Sequence, residues 1–328
     1  MQYFKKFKNK KIILSGNIQD EIFLYLKIKK KKMHLQKCYN NEIINNKFKK
    51  KICFRIFPRK EFFFQYNTLI FFLIKDKKEL IFQLMYFLSN MNIKNEIFII
   101  GKNNFGINSL NNIFKEWIIL KKIKYKKKCT LYYGRIQKKP IFILKKYLKK
   151  YNVFNINIIT LPGVFGYKKF DLGSKIMISS FKKKITGKIL DIGSGSGILS
   201  IFLKKKFKNI KITLIDNNST ALLCSKYNLK INKISGCVYY SNIFSHINEK
   251  FNLIISNPPT HYGNYNNLNI IYKIIKKSKK YLYKNGELRI ILHSNISCKQ
   301  IFIKYFGNYK ILKKKQHYNI YQTFKKNI

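Results

Sequence analysis

Alanine occurs once in these 328 residues, at Ala221, and arginine four times, at Arg55, Arg59, Arg135 and Arg289. Acidic residues are also scarce. Thirteen Asp and Glu face 68 Lys and Arg, for a formal net charge of +55. A chain poor in Ala and Arg but rich in Lys, Asn, Ile, Phe and Tyr carries the mark of an AT-biased genome, so part of the charge is compositional drift. Whatever its origin, such a surface attracts polyanions and disfavours a small cationic substrate. Six cysteines (Cys38, Cys53, Cys129, Cys224, Cys237 and Cys298) are scattered without a Cys-x-x-Cys pair. That spacing excludes a zinc knuckle and argues against a disulfide framework, leaving reduced thiols. The five histidines are equally dispersed, so no metal is expected. The basic N-terminus lacks the apolar stretch of a signal peptide. No apolar run approaches the ~18 residues that span a bilayer. These absences lead to the expectation of a cytoplasmic, monomeric protein without membrane or metal.

What is present is enough for cores and for two domains: 46% of residues are hydrophobic, over a length comfortable for a pair. Residues 1–50 are Lys-rich and weakly patterned. From Phe71 the pattern sharpens: a strand at 71–74, a helix from Lys78 to Met91 with Asp76 as its cap, a strand at 96–100, then a helix near 110–120. The stretch 138–155, interrupted by Pro140, holds the boundary, giving domains 1–153 and 154–328. The second half alternates cleanly. Strands are read at 188–190, 212–215, 237–240, 253–256 and 287–292, with helices between them. Ser219 or Thr220 is the expected cap of the helix ending at Asn228. Two late strand-like pieces, at 309–312 and 318–323, are suited to antiparallel pairing at one edge. This is the grammar of an α/β doubly wound sheet, whose ligands sit at the carboxyl ends of its strands.

Three strand ends carry chemistry. The first runs into Asp191-Ile192-Gly193-Ser194-Gly195-Ser196-Gly197, a turn whose glycines let backbone approach a ligand. The dinucleotide pattern would need glycine where Ile198 stands, which disfavours a nicotinamide dehydrogenase. Asp191 either holds this loop or meets an ammonium group. The second strand ends at Asp216, a carboxylate suited to ribose hydroxyls or to capping the next helix. Asn242, after the third, is an adenine-edge partner or a plain loop residue. The fourth ends in Asn257-Pro258-Pro259-Thr260. Two prolines stiffen the backbone there. With the Asn257 amide oxygen and the Pro258 carbonyl turned the same way, two acceptors receive both hydrogens of a planar –NH₂. Its lone pair is then freed and aimed at an electrophilic methyl group, by alignment rather than by a strong base.

These residues carry a resemblance. With Phe82-Gln83-Leu84-Met85, Leu161-Pro162-Gly163-Val164-Phe165, Asp171-Leu172-Gly173-Ser174, Asn242-Ile243-Phe244-Ser245 and Gly286-Glu287-Leu288-Arg289-Ile290, the chain resembles the bacterial 16S ribosomal RNA guanine-N2 methyltransferase family over nearly its whole length. The resemblance implies two class I (Rossmann-like) methyltransferase-type domains in tandem, with doubly wound, mostly parallel sheets. The N-terminal copy would be degenerate and serve RNA recognition or folding; Gly101–Gly106 sits where its cofactor loop would be, with the wrong spacing. The C-terminal copy would be the catalyst, using S-adenosyl-L-methionine on 16S rRNA of the small (30S) ribosomal subunit. Asp191, Gly193, Gly195 and Gly197 would form the cofactor loop, Asp216 would hold the ribose and Asn242 the adenine. Asn257 and Pro258, within Asn257–Thr260, would hold the guanine amine. The chain departs from the family at Thr260, where an aromatic residue is usual; Tyr262 is close by. The first fifty residues also match poorly. Rival readings are a DNA adenine-N6 or protein glutamine-N5 methyltransferase and a non-catalytic ribosome-assembly factor.

Overall fold

The computed structural model describes residues 7, 10–18, 31–36, 52–259 and 265–326. Contacts divide the chain into two compact units, Met1–Leu148 and Lys149–Ile328. The split falls before the expected boundary at 153, because strand 149–153 pairs with strand 156–160 and stays with the second unit.

The first unit holds β1 (Ile12–Gly16), β2 (Lys31–Leu35), β3 (Ile52–Phe54), β4 (Thr68–Phe72), α1 (Lys77–Asn90), β5 (Glu96–Lys102), α2 (Leu110–Phe114), β6 (Ile118–Lys126) and β7 (Cys129–Ile136). Its sheet runs β3-β2-β1-β4-β5-β7-β6. The first five strands are parallel, and β7 is antiparallel to both neighbours. Asp76 caps α1 by accepting from the Glu79 amide at 2.8 Å. The helix expected near 110–120 stops at Phe114. Beyond it burial alternates, with Ile118 and Leu120 inside and Ile119 exposed, which is the period of a strand. Gly101 lies within β5, which β4 separates from β1 in the sheet. Residues 101–106 therefore do not occupy the cofactor-loop position, which belongs to the end of β1.

The second unit adds a hairpin, β8 (Lys149–Val153) and β9 (Ile156–Thr160), and α3 (Leu172–Ile178) ahead of its main sheet. Then come β10 (Gly187–Ile192), α4 (Ile198–Lys206), β11 (Ile210–Asp216), α5 (Ser219–Ile231), β12 (Cys237–Tyr240), β13 (Phe251–Ser256), α6 (Tyr265–Tyr281), β14 (Leu282–His293), α7 (Lys299–Phe306), β15 (Lys310–Lys315) and β16 (Tyr318–Phe324). The order β12-β11-β10-β13-β14-β16-β15 repeats that of the first unit strand for strand. The late strands pair antiparallel at one edge, as expected.

Both faces of this sheet are covered, so its central strands are apolar without alternation. Ile189, Leu253, Ile255 and Ile291 pack on one face with α3 and α4. Leu190, Ile192, Ile254 and Ile290 pack on the other with α6 and α7. Each such side chain, fully buried, stabilises the fold by about 1.5–3 kcal/mol. Strand order reverses at β10 and β13, which opens a crevice at their carboxyl ends. No helix among the described residues is long and apolar enough to cross a membrane.

Candidate active site

The last pair in the β10–β13 ladder is Ile192 with Ser256. The residues that follow, Gly193 and Asn257, therefore leave the sheet side by side. One begins the glycine turn and the other begins Asn-Pro-Pro.

The turn folds as it does because of three left-handed glycines, Gly193, Gly195 and Gly197, with φ of +70°, +57° and +78°. A Cβ in that region costs about 1–2 kcal/mol. Gly197 has a second constraint, since a Cβ would lie 2.9 Å from Leu214 Cδ2. Gly193 has none: nothing stands within 4 Å of its missing Cβ, so bare backbone faces open space. The amides of Gly193 and Ser194 both donate to the Ile215 carbonyl, at 2.9 and 3.0 Å. The Gly195 amide donates to Asp216 Oδ2 at 3.0 Å, and the Asn218 amide donates to Asp216 Oδ1 at 2.9 Å. Asp216 thus ties the turn to the end of β11. It does not cap α5. That cap is Asn218, not Ser219 or Thr220: its Oδ1 accepts from the Thr220 amide at 2.9 Å, and its Nδ2 donates to the Gly163 carbonyl at 2.9 Å. Asn242 follows β12, half-buried, with its amide donating to Ser245 Oγ at 2.9 Å. Its neighbour Ser241 donates its amide to the Asp216 carbonyl at 3.2 Å, which sets Asn242 beside the Asp216 strand end.

Asp191 is buried, with 1% of its surface exposed, and Ser200 Oγ donates to its Oδ2 at 2.8 Å. It therefore binds the first turn of α4 to β10 and does not line the cleft. Burial pushes its pKa up to about 7; the Asp216 carboxylate adds to the rise, and the Ser200 hydrogen bonds oppose it.

Asn257 is held in a way the sequence did not reveal. Its Nδ2 donates to Asp171 Oδ2 at 2.8 Å and to Ser174 Oγ at 3.0 Å. Asp171 Oδ2 also accepts from the Ser174 amide at 2.6 Å, as the N-cap of α3. One carboxylate thus starts a helix and fixes an amide. Both protons of the Asn257 amide nitrogen are engaged, so its oxygen is the atom it can offer a ligand. Gly173 allows this approach, because a Cβ there would lie 3.1 Å from Asp171 Oδ2 and 3.4 Å from Asn257 Nδ2. Pro258 is buried and Pro259 exposed. Thr260 and Tyr262 lie outside the described residues.

Gly193, Gly195 and Asn257 line one cleft, together with Asp171, Phe165 and Tyr151. The Tyr151 pKa is pushed up to about 12, chiefly by burial, against a side-chain hydrogen bond with Ser196. Its phenol stays protonated at neutral pH. Among the described residues no three His, Cys, Asp or Glu side chains gather as a metal site.

Among its described residues the first unit lacks this constellation. The last β1–β4 pair is Gly16 with Phe72, so Leu73 stands where Asn257 does. Leu73 is buried, and its Cβ lies 2.4 Å from the place a Gly101 Cβ would take. One step back, Ser15 replaces Asp191. Its hydroxyl meets His34 Nδ1 at 2.8 Å, and His34 Nε2 donates to the Arg55 carbonyl at 2.6 Å. Burial lowers the His34 pKa to about 4, leaving a neutral ring. Apolar packing and a closed polar pair fill the edge that the second unit keeps open.

Known proteins place this arrangement. A family model described as "Methyltransferase small domain" matches residues 155–322, and "Methyltransferase small domain N-terminal" matches 1–151. The chain is 43% identical, over 99% of its length and 97% of the relative's, to the ribosomal RNA small subunit methyltransferase C of Buchnera aphidicola subsp. Acyrthosiphon pisum. The chain belongs to the ribosomal RNA small subunit methyltransferase C family. A member from Buchnera aphidicola subsp. Cinara cedri is 48% identical over 97% of this chain and 93% of its own. In fold the chain matches the T. thermophilus 16S rRNA N2 G1207 methyltransferase (RsmC), solved with AdoMet and guanosine. The TM-score is 0.81 at 13% identity, covering 96% of this chain and 88% of that one. As in that structure, two methyltransferase-type domains stand in tandem, and the enzyme of this family is a methyltransferase.

Proposed function

We propose that this enzyme methylates the exocyclic N2 amine of a guanine in 16S ribosomal RNA within the small subunit, in the cytoplasm. The observation that carries the reading is the clamped Asn257 amide, whose nitrogen is held by Asp171 and Ser174. S-adenosyl-L-methionine, when bound, supplies a methyl group on a positively charged sulfur. The chain's residues fit this donor: the bare backbone of Gly193 and Gly195 opens onto the cleft, and Asp216 stands at the neighbouring strand end. Gly193, Gly195 and the turn closed by Gly197 carry the methionine portion, with Asp191 anchoring the turn from beneath. Asp216 accepts the ribose hydroxyls, and Asn242 meets the adenine edge.

The guanine must leave its stack to reach this depth. Asn257 Oδ1 and the Pro258 carbonyl then accept the two N2 hydrogens. That geometry draws the nitrogen out of conjugation and points its lone pair toward the donor side of the cleft. Pro259 stiffens the exit. Asp171 keeps the Asn257 oxygen turned toward the substrate. The amine proton is lost to solvent after transfer, so no side chain need act as a strong base. The first unit, Met1–Leu148 with its strand ends filled, serves RNA recognition.

Calorimetry with S-adenosylmethionine, followed by labelled methyl transfer to unmodified small subunits, tests the reading. Asn257→Ala should keep cofactor affinity and lose about 10²–10³-fold in rate, as when one preorganised polar partner is removed from a transition state. A wild-type chain that fails to bind the cofactor is a ribosome-assembly factor and not an enzyme. Transfer unchanged by Asn257→Ala would remove the site assignment.

A further inference from the structure

Six of the eight residues 121–128 are lysines, and no acidic residue occurs between Glu116 and Asp171. These six lysines are all exposed, and they occupy edge strand β6 and the turn into β7. Two explanations account for part of this. AT bias enriches lysine everywhere, and lysines on an edge strand discourage pairing with other sheets. The matching edge strand of the second unit, β15, also carries Lys310, Lys313, Lys314 and Lys315.

Neither explanation reaches the turn. Lys126 pairs with Cys129, so Lys127 and Lys128 alone form the loop. Their φ values are +49° and +61°. A two-residue turn with both residues left-handed favours Asn and Gly, and lysine carries a Cβ that opposes it. The bias that enriches lysine enriches asparagine too, so drift alone would not withhold asparagine here. The β8–β9 turn has the same left-handed pair, Phe154 and Asn155. There asparagine takes one position, and Phe154 packs on Phe170 and Phe202 at ring distances of 5.9 and 5.7 Å. Lys127 and Lys128 are both exposed. The chain fixes their backbone from beneath: the Asn103 amide donates to the Lys128 carbonyl at 3.0 Å, and Thr130 Oγ1 donates to Asn103 Oδ1 at 2.7 Å. An unfavourable turn is thus held in place while its two cations project outward. Tyr125, also exposed, adds a flat ring 5.4 Å from Lys122 Nζ.

We propose that the β6–β7 hairpin is a prong that grips the phosphate backbone of RNA, with Lys126, Lys127 and Lys128 as its contacts. The recognised chemistry is a closely spaced row of phosphodiesters, read without regard to base sequence. The inference rests on the reading of the chain as acting on ribosomal RNA, and it names the surface of the first unit that meets it.

The test uses the full chain, a mixed-sequence RNA duplex as probe, and fluorescence anisotropy over a range of salt. K127N/K128G removes two charges and gives the turn its preferred residues. K145N/K146N removes two exposed charges elsewhere in the same unit. The hairpin variant should melt higher, by roughly 2–4 °C. It should bind RNA several-fold more weakly, with a log–log salt slope shallower by about 1.5, since each lost phosphate contact removes roughly 0.7–0.9. Higher stability with weaker binding separates a contact from a folding defect. Equal losses in the two variants would overturn the prong, leaving only diffuse charge. Unchanged RNA affinity with lost binding to phosphatidylserine vesicles would replace RNA by a membrane surface, and equally overturn it. Hairpin-dependent RNA binding by a wild-type chain without methyl transfer would remove the enzymatic reading and leave the prong standing.

Discussion

Asp171 shows how much one residue can decide. As the cap of α3 it makes a local contact, with the amide of Ser174 three positions on. Its second partner, Asn257, is 86 residues away and comes within reach only when α3 packs beside β13. Asp171→Ser separates the two roles. Serine caps helices about as well as aspartate, so stability should change by under about 0.5 kcal/mol. Its shorter side chain keeps the cap but ends short of Asn257 Nδ2, so the Asn257 amide loses its fixed orientation. Turnover should fall by roughly tenfold to a hundredfold, the scale of a small misplacement of a catalytic group. The dissociation constant for S-adenosylmethionine should not move. A loss of cofactor affinity matching the loss of turnover would show Asp171 to be a cofactor-site residue instead. Asn257 and Asp216 were legible from their places at strand ends. The same signal could not say that Asp216 would accept from Gly195 and Asn218, or that Asn218 would cap α5.

At the scale of elements, the glycine turn contains two kinds of glycine. Gly197 is packed, with Leu214 and Ser225 against its missing Cβ, whereas Gly193 opens onto the cleft. Gly197→Ala combines left-handed strain with overpacking and should destabilise the enzyme by about 2–4 kcal/mol. Gly193→Ala carries the strain alone, about 1–2 kcal/mol, yet places a methyl group where the cofactor should lie. Denaturant unfolding should rank Gly197→Ala as the worse variant. Calorimetric cofactor titration should rank Gly193→Ala as the worse. Agreement of the two rankings would mean that the cleft does not face Gly193. The alternation of strands and helices was readable because buried parallel strands are short apolar runs between helical patterns. Residues 110–120 misled for the same reason: a short helix followed at once by a strand has no single period. Gly101–Gly106 misled because a glycine after an apolar strand looks alike at any place in a sheet.

For the whole molecule, the repeated strand order shows two copies of one architecture, of which one keeps an open strand edge. Each copy buries a titratable group at that edge, with opposite consequences. His34 in the first is held neutral, with a pKa near 4, below the ordinary value of about 6.5. Its contribution is full above that ordinary value and is lost as pH falls toward 4. Asp191 in the second has a pKa near 7, above the ordinary carboxylate range. Its protonated form favours the fold, so that contribution is full below about pH 4 and is lost as pH rises through 7. Asp191→Asn should therefore flatten the decline in stability of the second unit between pH 4 and 7. Melting temperatures of wild type and variant across that window check it. Parallel curves would show that Asp191 is ionised in the fold at acid pH.

The sequence by itself determined the α/β class, the pair of domains and the strand ends punctuated by glycine, aspartate or Asn-Pro-Pro, because burial on both faces and glycine or proline punctuation are local signals. Tertiary structure decided which of those ends meet. The adjacency of β10 and β13 brings Gly193 beside Asn257, and the packing of α3 turns the Asn257 oxygen outward. It also showed that Leu73 closes the same place in the first unit. These are contacts between residues far apart in the chain, fixed by sheet order and register, and no local pattern of residues encodes them.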